Sequence, residues 1–158
     1  MINRCLILFL LLVSCSALAQ SKKDIKNNKI TSITVTKMED GKTLNDEKTV
    51  YNSDGKVLEY IEYNKDGSLK KRLTYKYNNL GDAIEEDEYD EHNKLKEHAV
   101  IKYNANGDKK QEDVYDASNK LIKKHLYTYD SKGLKTERKT YNAAGKLTST
   151  KKYTYTFK

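Results

Sequence analysis

Tyr115 to Tyr141 reads YDASNKLIKKHLYTYDSKGLKTERKTY. It holds the same phrase twice, Tyr-Asp-x-x-Gly/Asn, each followed by a mostly polar run that ends in another Tyr. The leading Tyr recurs at Tyr51, Tyr63, Tyr77, Tyr89, Tyr103, Tyr115, Tyr129, Tyr141 and Tyr155, in steps that alternate 12 and 14 residues. The unit is therefore a 26-residue double repeat, and a fixed period of that length outranks local propensity in deciding a fold.

Four residues after each Tyr up to Tyr141 stands Gly55, Gly67, Gly81, Asn93, Gly107, Asn119, Gly133 or Gly145. Gly41 lies one further step back, so every glycine of the chain falls at this turn-forming position. Asn is the non-glycine residue that best accepts positive φ, and it fills the two gaps. Turns such as Asn52-Ser-Asp-Gly55 suit a type I turn closed by a left-handed residue, which joins neighbouring antiparallel strands. The eight to ten residues between turns make one strand and are too few for a crossover helix. The chain has no proline, as ladder pairing prefers.

These features predict an all-β fold: an antiparallel up-and-down meander of about ten strands built from the 12/14-residue hairpin repeat. The sheet is expected to be coiled or rolled, with a closed barrel as the alternative. Because every step is even, simple pairing across each turn puts all odd-numbered residues on one face. That face would gather twelve of the thirteen tyrosines with Val57, Ile61, Leu69, Leu73, Leu95, Ile101, Leu121 and Leu147. The same register sets Glu62 opposite Lys70, Glu88 opposite Lys96, Glu112 opposite Lys124 and Val114 opposite Ile122. It leaves Asp87 facing Glu97, a like-charge pair without explanation.

Ahead of the repeats, residues 1–19 combine a basic start at Arg4, an apolar run and Ala17-Leu18-Ala19, the pattern of a secretory signal peptide. Leu12-Val13-Ser14-Cys15 supports the alternative of a lipoprotein signal over residues 1–14 with lipid attachment at Cys15. Residues 20–29, lysine-rich and patternless, read as a flexible leader, and 30–158 as a single β-repeat domain. Either cleavage removes Cys5, so an exported chain would hold together without a disulfide. Without residues 1–19 the chain carries 29 basic and 23 acidic residues, mixed along its length. Such a surface is compatible with anionic glycans or a cell surface. Nucleic acid is not expected as a partner for an exported chain.

No residue pattern points to catalysis. His92, His98 and His125 are expected in a turn and on opposite faces, which argues against a shared metal. A strand splits Glu85, Glu86, Asp87 and Glu88 between its two faces, which argues against an acid/base couple. Neither a nucleophile-base arrangement nor a cofactor motif is recognisable. Tyr63, Tyr77, Tyr89, Tyr103, Tyr115 and Tyr129 remain as a candidate binding surface, either core ladder or a stacking platform for sugars or peptides.

Tyr127-Thr-Tyr-Asp-Ser-Lys-Gly133-Leu and Tyr141-Asn-Ala-Ala-Gly-Lys-Leu147 resemble the YD repeats of the Rhs family, over roughly residues 51–158. The shorter Tyr-x-x-x-Gly-Lys-Leu element is also similar to MORN-type repeats. The resemblance implies arrays of strand hairpins, which in large toxins and adhesins build a β shell around a cargo. This chain is too short to enclose one. The expectation is an exported, non-enzymatic cell-envelope or secreted protein, periplasmic or held at the outer membrane by lipid. It would act as a structural or protein-interaction module with edge strands open to a partner. A glycan-binding module using the tyrosine rows is the alternative, and a small hydrolase the least favoured.

Overall fold

The structure, a computed structural model, describes residues 21–157; the expected signal sequence and Cys15 lie outside them. Ten strands follow a short helix α1 (Lys22–Asn27): β1 (Ser32–Glu39), β2 (Lys42–Tyr51), β3 (Val57–Tyr63), β4 (Leu69–Tyr77), β5 (Ala83–Tyr89), β6 (Leu95–Tyr103), β7 (Lys109–Asp116), β8 (Leu121–Tyr129), β9 (Lys135–Asn142) and β10 (Leu147–Lys152). They form one antiparallel sheet in sequence order. Among the described residues β1 pairs only with β2 and β10 only with β9, so the sheet is open and the closed-barrel alternative fails. Each repeat tells a strand where its sequence neighbours lie, and ten such steps do not bring the two ends within pairing distance.

The turns form as their residues dictate. At Asn52 the backbone N–H bonds the Lys56 carbonyl, Gly55 N–H bonds the Asn52 carbonyl, and the Asn52 side chain accepts from Asp54 and Lys56 N–H. The Asx side chains of Asp90, Asn104, Asp116, Asp130 and Asn142 do the same. Asn93 and Asn119 take φ of 58° and 62° in the place held elsewhere by glycine. Gly41 differs. Glu39 pairs directly with Lys42, and Asp40 and Gly41 both have positive φ, which makes a two-residue type I′ turn.

The even-step register does not survive. Tyr51 pairs with Val57, but the next pair is Val50 with Glu59, which leaves Leu58 over as a β-bulge. The same bulge follows every later turn and leaves Lys70, Ile84, Lys96, Lys110, Ile122, Thr136 and Thr148 unmatched. One extra residue per hairpin exchanges the two faces at each strand. Odd residues of β2 thus share a face with even residues of β3, then odd residues of β4, and so on along the sheet. Neighbouring members of the Tyr series consequently lie on opposite faces: Tyr51, Tyr77, Tyr103 and Tyr129 on one, Tyr63, Tyr89, Tyr115 and Tyr141 on the other.

The first of these is the core face. It holds the buried Thr49, Tyr51, Tyr60, Leu73, Ala99, Ile101 and Val114, whereas the other face buries Asp113. The expected backbone partners shift with the bulge, although the expected ion pairs of Glu62 with Lys70 and Glu88 with Lys96 form across it. Glu62 stands opposite Lys71, Glu88 opposite Glu97, Glu112 opposite His125 and Val114 opposite Lys123. Asp87 meets His98 and hydrogen-bonds its Nδ1, so the puzzling like-charge pair does not exist.

The bulge also explains the tyrosines that end β4, β6 and β8 and the one that follows β10. Tyr77, Tyr103, Tyr129 and Tyr155 each donate their hydroxyl to the carbonyl 20 residues back, on Val57, Ala83, Lys109 and Lys135, at 2.7–2.9 Å. Each acceptor residue immediately precedes a bulge residue, where the ladder is interrupted and a carbonyl needs another donor. Tyr103→Phe should cost about 0.5–1.5 kcal/mol in urea melts. Because these ties lie two strands apart, the triple Phe variant at 77, 103 and 129 should lose close to the sum. A triple variant as stable as the parent would remove the ties from the account.

The expected flexible leader is a folded element. Ser21 and Asp24 form a capping box, and Ile25 is buried at 2% exposure. Lys22 O and Ile25 Cβ lie over Gly55, where a built Cβ would come within 2.7 Å of that carbonyl. The helix therefore covers the β2–β3 turn, and Lys26 pairs with Asp54 at 3.1 Å.

Candidate functional site

The middle of the core face is polar. A cavity of about 130 Å³ is lined by Glu86 and Glu88 of β5, Glu97 of β6, Glu112 of β7, and Lys123 and His125 of β8, with Ala99 and Val114 among its walls. The bulged register brings these side chains to one face from four successive strands. Most of their charge is neutralised inside the group. Glu88 lies 3.0 Å from Lys71 and 2.9 Å from Lys96. Lys123 reaches across β7 to Glu97 at 3.0 Å. Glu112 takes Lys109 at 2.6 Å and the Tyr127 hydroxyl at 2.8 Å. His125 Nδ1 lies 2.9 Å from the Thr140 hydroxyl.

Glu86 is the odd member, with no ion pair within 4 Å among the described residues. Burial raises its pKa above the ordinary carboxylate value, and the charge of Glu112 raises it further. Burial pushes Glu112 up as well, but Lys109 and the Tyr127 hydroxyl together outweigh it and hold that carboxyl low. Burial lowers His125, against the pull of Glu112 and with help from Arg138, Lys123 and Lys109. Burial, then Glu112, raises Tyr127. Four carboxylates thus meet four lysines, and because Glu88 takes two of them, Glu86 is left without an ion-pair partner.

A raised folded-state pKa means that ionising Glu86 opposes folding. Its effect is absent at low pH and grows as pH climbs from the unfolded value, 4.5, through the folded one. Glu86→Gln should therefore raise the melting temperature at pH 7, by a margin that closes as pH falls toward 4. A Gln variant less stable than the parent at pH 7 would mean that the carboxylate is wanted there.

The six tyrosines expected as one surface divide by face. Tyr77, Tyr103 and Tyr129 spend their hydroxyls on backbone carbonyls of the core face. Tyr63, Tyr89 and Tyr115 stand on the opposite face, half-buried. There the Arg72 guanidinium stacks over Tyr89 at 4.5 Å, and His98 lies against Tyr115 with ring centroids 6.2 Å apart. His98 and His125 occupy opposite faces, and no group of three or more metal-ligating side chains assembles among the described residues. Glu85 and Asp87 face away from the cavity, while Glu86 and Glu88 both enter it.

The even-step register hid the cluster, because it put Glu86, Glu88 and Glu112 on the face opposite Glu97, Lys123 and His125. The signal lay in the repeat. Lys71, Glu97 and Lys123 occupy the same repeat position at 26-residue intervals, as do Glu86, Glu112 and Arg138. Such residues sit two strands apart on one face, close enough for the Lys123–Glu97 contact.

Unpaired strand edges remain at the sheet's two ends, and exposed apolar side chains lie both there and at Leu58, Leu80 and Ile122 away from them. Of the large apolar side chains left exposed, Met38 is on β1 and Leu147 on β10, and Tyr153, Tyr155 and Phe157 follow β10. Among the described residues no helix is long and apolar enough to cross a membrane.

No protein-family model matches this chain, and no curated protein does. Solved structures do show similarity. A porin-like protein from Bacteroides uniformis is 14% identical with a TM-score of 0.45, over 76% of this chain and 49% of that one. TarM is 16% identical with a TM-score of 0.33, over 84% and 25%. A Bacteroides fragilis protein of unknown function is 18% identical with a TM-score of 0.21, over 80% and 95%. This chain spans about half the length of the porin-like protein and a quarter of TarM.

Proposed function

We propose that the chain is an exported, non-enzymatic β-repeat module of the YD-repeat kind that binds a protein partner through the edges of its sheet. The carrying observation is the pair of unpaired edges, β1 and β10, beside which most of the exposed large apolar side chains lie. Unpaired strand edges offer a row of backbone donors and acceptors to another β chain. The charges and hydroxyls of the core face are, by contrast, largely engaged with one another. Export is supported by the residue pattern of positions 1–19.

A photo-crosslinking residue at Thr36 or Thr150, on the two edge strands, should give a protein adduct in the cells that express the chain. The same residue at Lys110, away from either edge, should give none. Absence of adducts at both edges would overturn the reading. The face carrying Tyr63, Tyr89 and Tyr115 with Arg72 favours glycan binding as the second reading. Glycan binding that Tyr89→Ala abolishes would put it first.

A further inference from the structure

We propose that the partner of each edge is the opposite edge of a second copy of this chain, joined head to tail so that β10 of one molecule pairs with β1 of the next. The inference rests on the edge-binding reading above and names its occupant. Three observations carry it.

The first is topology. Inside the sheet each even-numbered strand hands over to an odd-numbered one running antiparallel to it, as β2 does to β3 and β8 to β9. The outermost strands are β1, odd, and β10, even. Placing β1 of a second copy beside β10 continues the alternation. It also keeps core face next to core face, because odd residues lie on that face in both strands: Ile33 and Val35 in β1, Ser149 and Lys151 in β10.

The second is the position of the exposed apolar groups. β1 ends, and β10 begins, at the end of the sheet that carries the turns at Gly41 and Gly145. Pairing β10 with β1 of a second copy therefore brings Leu147, 46% exposed, to the neighbourhood of Met38, 78% exposed.

The third is charge. At the end the two edges share, the β9–β10 turn carries Lys146 and no acidic residue, whereas the β1–β2 hairpin tip carries Glu39 and Asp40 beside Lys42; Lys151 and Lys152 lie at the other end of β10, where the facing part of β1, Ser32–Thr36, is uncharged. Glu39 already holds the exposed Lys65 at 3.1 Å, and Asp40 has no ion pair within 4 Å among the described residues. Antiparallel pairing of β10 with another β10 about Ser149 would set Lys146 against Lys152, which like charges on facing strands penalise. The unlike edges match, and the like ones do not. A heterologous contact of this kind propagates into filaments or closes into rings.

Sedimentation velocity on the full chain tests this with Met38→Lys and Leu147→Lys, both at exposed positions and each blocking one edge. The wild-type chain should form species beyond dimer that grow with concentration. Each variant alone should associate about tenfold more weakly or worse. An equimolar mixture of the two should recover a dimer and stop there, because one free β10 meets one free β1. Circular dichroism checks that both variants keep the sheet. Either variant alone dimerising as tightly as the equimolar mixture would mean like-edge pairing and overturn the proposal, as would a wild-type chain that stays monomeric at hundreds of micromolar. If such a monomer still crosslinks at Thr36 or Thr150 to a different polypeptide, the edge-binding reading stands while the head-to-tail join falls. If the edges crosslink to nothing, both fall.

Discussion

Inserting one alanine between Ile122 and Lys123 should unfold the C-terminal third of the sheet, although the Ile122 side chain is 36% exposed and Ile122→Ala should cost under about 1 kcal/mol. What matters is the count. Ile122 is the one unmatched residue between the Tyr115–Leu121 and Val114–Lys123 pairs. With a further residue there β8 must pair one residue out of step, which turns every later side chain of the strand to the other face. Lys124 and Leu126 would then enter the core face in place of Lys123 and His125, and Tyr127 would lose its bond to Glu112. Several buried contacts go together, so the loss should exceed about 4 kcal/mol. Because an array is held by neighbour contacts, the damage should be local. Hydrogen exchange should rise across residues 121–157 while 57–103 stay protected. An insertion variant within 1 kcal/mol of the parent would show that the single-residue bulge does not set the register.

The fold class was legible because two strong signals agreed, the 12/14 spacing and the glycine or asparagine at every turn. Strand number and order follow from those alone. The bulge was not legible. Leu58, Lys70, Lys96 and Ile122 share no residue type that marks an unmatched position, since a bulge changes backbone pairing and needs no special side chain when φ stays negative. An even step with simple pairing and an even step with one bulge per hairpin look identical in the text. They differ in which tyrosines share a face.

One clue was available. Asp87 facing Glu97 had no explanation under simple pairing, and shifting the register by one gives Asp87 a His98 partner. The shift creates a new like-charge pair, Glu88 with Glu97, which is relieved by Lys71 and Lys96 on one side and Lys123 on the other. The helix α1 was missed for a different reason. It is a single turn and a half of polar residues, stabilised by a capping box and one buried isoleucine, and no periodicity can show in six residues.

Reading the repeat in columns yields the second large effect. Val114 occupies the repeat position that holds Glu88 one unit earlier, and Glu88 is held there by Lys71 and Lys96. The residues that correspond to those two lysines around Val114 are Glu97 and Ile122. A carboxylate at 114 would thus be buried, at a position 3% exposed, beside Glu97 and without a cation of its own, since Lys123 is already committed to Glu97. Val114→Glu should cost about 3–5 kcal/mol, the range for an unpaired buried charge, against about 1–3 kcal/mol for Val114→Ala. Because equivalent repeat positions share their neighbours, the deficit is specific and reparable. Adding Ile122→Lys to Val114→Glu rebuilds the counterpart of the Glu88–Lys96 pair and should return roughly 1 kcal/mol or more, although Ile122→Lys alone changes little. A double variant no more stable than Val114→Glu would show that equivalent repeat positions do not share their contacts, and that the cavity's charge pattern is not built by the 26-residue period.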